Sequence, residues 1–283
     1  MKNIERKDKN AAARYEGCLL ITDLDGTLLD KKKEISIENQ KAIREFLEQG
    51  GRFAVATGRS PASAGRWLKQ LPVNYPCIFY NGSMVKDIVR DKVLDCEYLQ
   101  KERFIPLIDW ILTNNCKTVV EIFTDQGLYV VSDPANVDPY LQEEKDPFAE
   151  EDFARVKELE WIKVLFCDSH KNLERIDAQL TERRLEDFCD FFYSQDFFLE
   201  ITPKNHTKGT ALRFIRTGCE VKNLRIIAVG DYENDEGMLR EADLGVAVGN
   251  ARETVKAAAD YVTADHDHHP MEDIIKKLEE TGF

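Results

Sequence analysis

Two carboxylates, Asp23 and Asp25, stand two residues apart in the stretch CLLITDLDGTLL, directly after the apolar run Cys18–Ile21. Like charges this close raise each other's pKa unless a cation or hydrogen-bond donors compensate. Gly26 permits a tight turn beside them. A second acidic group, Gly230-Asp231-Tyr232-Glu233-Asn234-Asp235, follows another apolar run, Leu224–Val229. Thr57-Gly58-Arg59 follows a third, Arg52–Ala56, and Lys208 stands at the start of a helical stretch. Carboxylates that meet require a cation, and an all-oxygen ligand set with neighbouring water suits Mg²⁺. A hydroxyl, a backbone turn and one lysine suit a phosphate. A carboxylate nucleophile so activated accepts a phosphoryl group. The chemistry these residues point to is phosphoryl transfer.

Two blander readings compete for Asp23-Leu24-Asp25-Gly26. Asp-Gly is a common hairpin turn. Asp23, Asp25, Thr27 and Glu34 also fall at calcium-loop spacing, but the glycine required at the sixth position is Leu28, and a strand-like run precedes the loop in place of a helix. What decides is whether the other groups are brought beside this loop.

The elements that must position them alternate. Strand Cys18–Ile21 is followed by an amphipathic helix over 36–49, with Ser36 as cap and Gly50-Gly51 as its end. Strand 52–56, a Ser60-Pro61-capped helix to Leu71 and strand 76–80 come next, closing on Asn81-Gly82. This order predicts a parallel sheet with covering helices, in which strand carboxyl ends share one edge and ligands bind there. After Gly82 the texture changes: a hairpin over 83–99, a helix over 100–114, paired strands around Asp125-Gln126-Gly127 and an acidic loop with a short helix over 133–156. A strand over 161–168, a helix over 170–184 and aromatic-rich strands over 188–201 complete it. Ten of the fifteen phenylalanines lie between Phe104 and Phe198, enough for a separate core, so we expect an inserted α+β domain. Helix 207–217, strand 224–229 and further short elements then resume the first pattern, ending in helix 270–280. The expected boundaries are a polar lead-in over 1–17, a core over 18–83 and 202–283, and the insertion over 84–201.

Composition narrows the partners. The net charge of −13, with no basic block, disfavours nucleic acid and anionic membrane. No apolar run approaches the ~20 residues of a membrane span, and the N-terminal stretch has no apolar centre of the kind a secretory signal needs. Seven scattered cysteines without a C-x-x-C fit reduced thiols in a cytoplasm. The expected partner is a small phosphorylated metabolite, handled by a monomer or small homo-oligomer.

Asp23-Leu24-Asp25-Gly26-Thr27-Leu28-Leu29, Thr57-Gly58-Arg59, Lys208-Gly209 and Gly230-Asp231-x-x-Asn234-Asp235-x-x-Met238-Leu239 together resemble, in order, the four motifs of the haloacid dehalogenase superfamily. The long insertion entered through Asn81-Gly82 is similar to the type IIB (C2B-type) cap of Cof-like sugar-phosphate phosphatases, and Gly245–Ala251 fits the same group. The resemblance implies a doubly wound, Rossmann-like α/β core and a Mg²⁺-dependent phosphatase. In that scheme Asp23 is the nucleophile, and Asp25 is the general acid–base, its backbone carbonyl joining Asp23 and Asp231 as metal ligands. Thr57, Lys208, Asn234 and the amides near Leu24 and Gly58 bind phosphoryl oxygens. Asp235 orients its neighbours or reaches the metal through a water. Arg59, Asn81 and Gly82 are candidates for substrate contact or a hinge.

The chain departs from the family after Thr263: where the family usually runs through a polar stretch into a Gly-Val pair, Ala264-Asp265-His266-Asp267-His268-His269-Pro270 intervenes. Such a tract binds a transition metal or, as a short stretch without a distant ligand, forms a solvated loop ahead of the last helix. A mutase and a non-catalytic phosphate-ester sensor remain open. Haloacid dehalogenation is disfavoured by Asp25, and a kinase by the lack of a nucleotide loop.

Overall fold

The computed structural model describes residues 13–114, 117–133, 141, 147–218, 221 and 223–282. Residues 1–12 of the polar lead-in, Cys116, Cys219 and most of the acidic stretch after Asp133 lie outside them. Contacts divide the chain into two compact units, Met1–Val55 with Leu71–Tyr75 and Arg216–Phe283, and Ala56–Gln70 with Pro76–Ile215.

The first unit holds a five-stranded sheet in the order β14-β13-β12-β1-β2, with β1 Cys18–Thr22, β2 Arg52–Val55, β12 Arg225–Gly230, β13 Leu244–Ala247 and β14 Tyr261–Val262. Every pair is parallel. β1 lies inside the sheet between β12 and β2 and is buried along its whole length, as a run apolar on both faces should be. Its register sets Thr22 beside Val229 of β12 and beside Val55 of β2, so the chain leaves all three strands at one level. Leu19, Leu20, Ile21, Ile226 and Ile227 are fully buried, each such side chain contributing roughly 1.5–3 kcal/mol. Helix Ile37–Glu48 begins where Ser36 Oγ accepts from the Asn39 amide at 3.2 Å. Asn39 in turn takes the Met271 amide at 3.0 Å, fastening the start of helix Pro270–Thr281, against which helix Ile37–Glu48 packs.

The second unit departs from expectation at the strand before Asn81. β3 Cys77–Phe79 does not join the parallel sheet. It pairs antiparallel with β4 Met84–Asp87, which pairs with β5 Lys92–Cys96, and its parallel contact among the described residues is the single bridge Ala56–Ile78. The remaining strands are β6 Val119–Thr124, β7 Leu128–Val130, β8 Phe148–Glu150, β9 Trp161–Cys167, β10 Cys189–Gln195 and β11 Phe198–Pro203, in a sheet ordered β10-β11-β9-β6-β7-β8. β8 falls in the stretch expected to be loop and short helix, and pairs parallel with β7. Side chains from helices Lys101–Asn114 and His170–Glu182, including Phe104, Leu107, Leu173 and Ile176, join Val120, Ile122, Val164 and Ile201 in one apolar core. The parallel sheet and the α+β insertion agree with the fold class expected.

Candidate active site

In the first unit Asp23 follows β1 and is 6% exposed, its amide donating to Val229 O at 2.9 Å. The next residues wrap around one carbonyl: Leu24 O accepts from the amides of Leu28 at 3.0 Å and Leu29 at 2.9 Å. Gly26 closes the turn at φ +79, and a β-carbon there would lie 2.5 Å from Asp231 Oδ2. The residue is glycine for both reasons, the left-handed backbone and the close approach. Thr27 Oγ1 donates to Asp231 Oδ1 at 2.7 Å across 204 residues of sequence. Asp231 is thus held against the Asp23 loop by Thr27, a motif residue assigned no role of its own from sequence.

Asp23, Asp231 and Asp235 each offer an oxygen within 4.8 Å of the others. Three such carboxylates repel unless a cation is shared, and hard oxygen donors fit a divalent metal. Asp235 is differently employed from the other two. It is fully buried, and its Oδ2 accepts the amides of Asp231 at 2.9 Å and Tyr232 at 3.2 Å. That clamps the loop carrying Asp231. The Asp25 side chain stands outside the cluster: Lys33 Nζ reaches its Oδ1 at 2.5 Å. Lys33 sits at φ 60, a left-handed position that no spacing rule would have flagged.

Further tethers hold the same loop from the histidine tract. Asn250 Nδ2 donates to Gly26 O at 2.8 Å while its Oδ1 accepts the His266 amide at 2.9 Å. The His266 ring meets Leu29 O through Nδ1 at 3.1 Å, and a carbonyl can only accept, so Nδ1 carries the proton. Asp267 Oδ1 accepts the Lys31 amide at 3.1 Å while its Oδ2 pairs with the Lys31 ammonium, which holds the Asp267 carboxyl below the usual range. Around Asp265 burial acts upward on the pKa, yet bonds from His268 and the Asp267 amide leave its carboxyl lowered. The tract expected to be a solvated loop is therefore docked on the segment that follows Asp25. No histidine joins a candidate metal group among the described residues.

The second unit assembles the other group of expected residues. Thr57 is 1% exposed; its amide donates to Ile78 O at 2.9 Å, and its Oγ1 accepts the Arg59 amide at 3.2 Å, which leaves the hydroxyl proton to donate elsewhere. Asn81 donates its amide to Thr57 O at 3.1 Å, and its side chain lies 2.9 Å from where a β-carbon on Gly58 would be. Tyr80 and Asn81 are both left-handed, at φ 51 and 56, strain that persists only where surrounding bonds over-determine the corner. Gly82, at φ +115, would place a β-carbon 2.2 Å from Thr207 O. This backbone approach seats the corner against the start of helix Lys208–Gly218. Lys208 is 1% exposed, so it is not a solvated helix-start lysine. Arg59 stacks 4.4 Å from the Trp67 ring and donates to Ser63 Oγ at 3.1 Å.

The thiols of Cys96 and Cys189 do not compete for the chemistry. Burial pushes Cys189 up to about 12 and Cys96 up to about 11, and the described cysteines form no disulfide. Protonated thiols are poor nucleophiles.

The family profile of the haloacid dehalogenase-like hydrolases matches residues 20–275. The chain belongs to that family. Phosphatase YwpJ of Bacillus subtilis is 28% identical, over 92% of this chain and 99% of that protein. The 5-amino-6-(5-phospho-D-ribitylamino)uracil phosphatase YcsE of Bacillus subtilis is 29% identical over 87% and 89%. A crystal structure of a haloacid dehalogenase-like hydrolase from Bacteroides thetaiotaomicron superposes with a TM-score of 0.81 at 28% identity, covering 93% of this chain and 99% of the other. Among the described residues of this hydrolase, no helix is long and apolar enough to cross a membrane.

Proposed function

We propose that this phosphatase hydrolyses small phosphate monoesters, sugar phosphates or related metabolites, with Mg²⁺ and through an aspartyl-phosphate on Asp23. The observation that carries the reading is the buried Asp23 at the end of β1, grouped with Asp231 and Asp235, with a second carboxylate two residues on. The phosphatase names of the relatives support the substrate class.

Asp23 and Asp231, with the backbone carbonyl of Asp25, would hold the ion, and Asp235 braces the loop from which Asp231 reaches it. A Mg²⁺ ion held by these residues would neutralise the carboxylates and stabilise charge on the phosphoryl oxygens. A carboxylate oxygen of Asp23 attacks phosphorus, and the bond to the leaving oxygen breaks. Asp25 gives its proton to the departing alkoxide. It then takes a proton from the water that attacks phosphorus, releasing inorganic phosphate and restoring Asp23. Thr57, Lys208, Asn234 and the amides of Leu24 and Gly58 bind the phosphoryl oxygens, where charge grows most. In this assignment residues 18–83 and 202–283 handle the phosphoryl group common to all substrates, and 84–201 handle the leaving group. The reduced thiols fit a cytoplasmic setting.

The test is Asp23→Asn with p-nitrophenyl phosphate. Turnover should vanish while the melting temperature stays near wild type, because an amide neither attacks phosphorus nor replaces the anionic ligand. Wild-type rates in a folded variant would remove Asp23 from the mechanism.

A further inference from the structure

The loop that carries Asp231 into the three-carboxylate cluster is gripped twice. Asp235 Oδ2 accepts the amides of Asp231 and Tyr232. The second grip comes from Arg252, which precedes the short helix Glu253–Ala258. Its amide donates to Asp231 O at 3.1 Å. Its guanidinium lies 4.0 Å from the centre of the Tyr232 ring, donates to the Tyr232 hydroxyl, and donates through Nη1 to Glu233 Oε1 at 2.6 Å. Three consecutive loop residues, Asp231, Tyr232 and Glu233, thus close on one arginine.

Core packing does not explain this arrangement. The Arg252 and Glu233 side chains are 54% and 44% exposed, and Tyr232 is 37% exposed. An exposed ion pair adds little to global stability, and a cation over an exposed ring adds only slightly more. Contacts too weak to hold a fold are still strong enough to bias a loop. This loop needs the bias: Asp23, Asp231 and Asp235 offer oxygens within 4.8 Å of one another, and without a cation they repel. Thr27 fixes the carboxylate of Asp231, and Arg252 fixes the backbone that carries it. A bound divalent ion would oppose the repulsion far more strongly than either, so the influence of the arginine is confined to the state before the ion arrives.

We propose that Arg252 is a positioning residue for the metal centre: it holds the Asp231 loop ready for the divalent ion and so sets the affinity for it, contacting neither the ion nor the phosphate ester. The inference rests on the reading of the carboxylate cluster as a metal site. Preorganisation of this kind lowers the cost of binding and leaves the bound state unchanged. Arg252 therefore acts on the metal dissociation constant, and its effect on kcat disappears once metal saturates. Because the pair is exposed, salt screens it.

The experiment titrates the full chain with Mn²⁺, which shares the octahedral oxygen coordination of Mg²⁺, and reads the free ion by electron paramagnetic resonance. Arg252→Met keeps a long side chain but removes the cation and its donors. It should raise the Mn²⁺ dissociation constant by about three- to tenfold, the scale of an exposed ion pair and a cation–π contact together. Its melting temperature in EDTA should fall by no more than about 3 °C. At saturating Mg²⁺, kcat for p-nitrophenyl phosphate should stay within about twofold of wild type. Glu233→Gln should weaken binding in the same direction, and the double variant no more than Arg252→Met alone, since both remove one contact. Raising NaCl from about 0.05 M to about 0.5 M should bring the wild-type and Arg252→Met constants together. An unchanged dissociation constant in folded Arg252→Met, or a fall in kcat that saturating metal does not restore, overturns the proposal. Failure of wild type to bind Mn²⁺, or equal binding by Asp231→Asn, overturns the metal reading beneath it.

Discussion

Replacing Gly26 by alanine tests whether the Asp23 loop and the Asp231 loop form one device. Alanine at φ +79 pays the left-handed penalty, roughly 1–2 kcal/mol. Its β-carbon would also stand 2.5 Å from Asp231 Oδ2 and 3.1 Å from Cγ. Ordinary contact needs about 3.5 Å, so the carboxylate must retreat by about 1 Å. That retreat breaks the 2.7 Å bond from Thr27 Oγ1, and a hydrogen bond to a charged group is worth about 1.5–3 kcal/mol. The summed destabilisation is roughly 2.5–5 kcal/mol, or a fall in melting temperature of about 5–10 °C for a chain of this size. The same displacement withdraws an oxygen from the three-carboxylate cluster, so the Mg²⁺ concentration giving half-maximal activity should rise about 10- to 100-fold, as when groups that orient metal ligands are removed. Two assays separate the effects: melting in EDTA, and Mg²⁺ titration of p-nitrophenyl phosphate hydrolysis. A lower melting temperature with unchanged Mg²⁺ dependence would refute the coupling, since backbone strain alone predicts that outcome.

Three further perturbations probe other links. Lys208→Ala should depress all phosphate esters together, by about 2–4 kcal/mol in the transition state; a changed order of preference in kcat/KM would count against its placement on the phosphoryl group. His266→Ala removes the tether on Leu29 O, and kcat should fall several-fold on every substrate with little change in KM, while His268→Ala, whose ring is bonded to Asp265, should match wild type; equal behaviour of the two variants would detach the tract from the loop. Burial acts upward on the pKa of Asp273, but bonds from Thr263, Tyr261 and the Ala264 amide outweigh it and lower the carboxyl. Its contribution is therefore fully present above the unfolded carboxylate pKa of about 3.9 and is lost as pH falls through the lower folded value. Acid titration of stability should be steeper below about pH 4 in wild type than in Asp273→Asn, and identical curves would contradict that.

Much of the architecture was legible because its causes are local. Apolar runs too short for helices and ending in polar residues mark β1, β2 and β12, and Ser36 and Ser60 announce their helices by capping chemistry that needs no tertiary partner. Asp23, Asp25, Thr57, Lys208 and Asp231 stood out because charged and hydroxyl groups at the ends of buried strands have few structural uses. β3 was misplaced for the complementary reason. Its composition marks a strand, but which neighbour it pairs with depends on the corner at Tyr80–Gly82, where two left-handed non-glycine residues turn it toward β4.

The sequence by itself determined most of the strands and helices, though not β8, together with the insertion, the candidate motif residues and, through them, the class of chemistry. The tertiary structure decided which groups support those residues. Thr27 holds Asp231 across 204 positions, Asn250 and His266 hold the loop after Asp25 from more than two hundred positions away, and Lys33 meets the Asp25 side chain. It also decided that Glu121, Lys163 and Glu200, from three separate strands, share one buried face. Periodicity and capping act over a few residues, whereas these contacts depend on sheet register and on close approaches such as Gly26 to Asp231, which arise only when the strands are laid side by side.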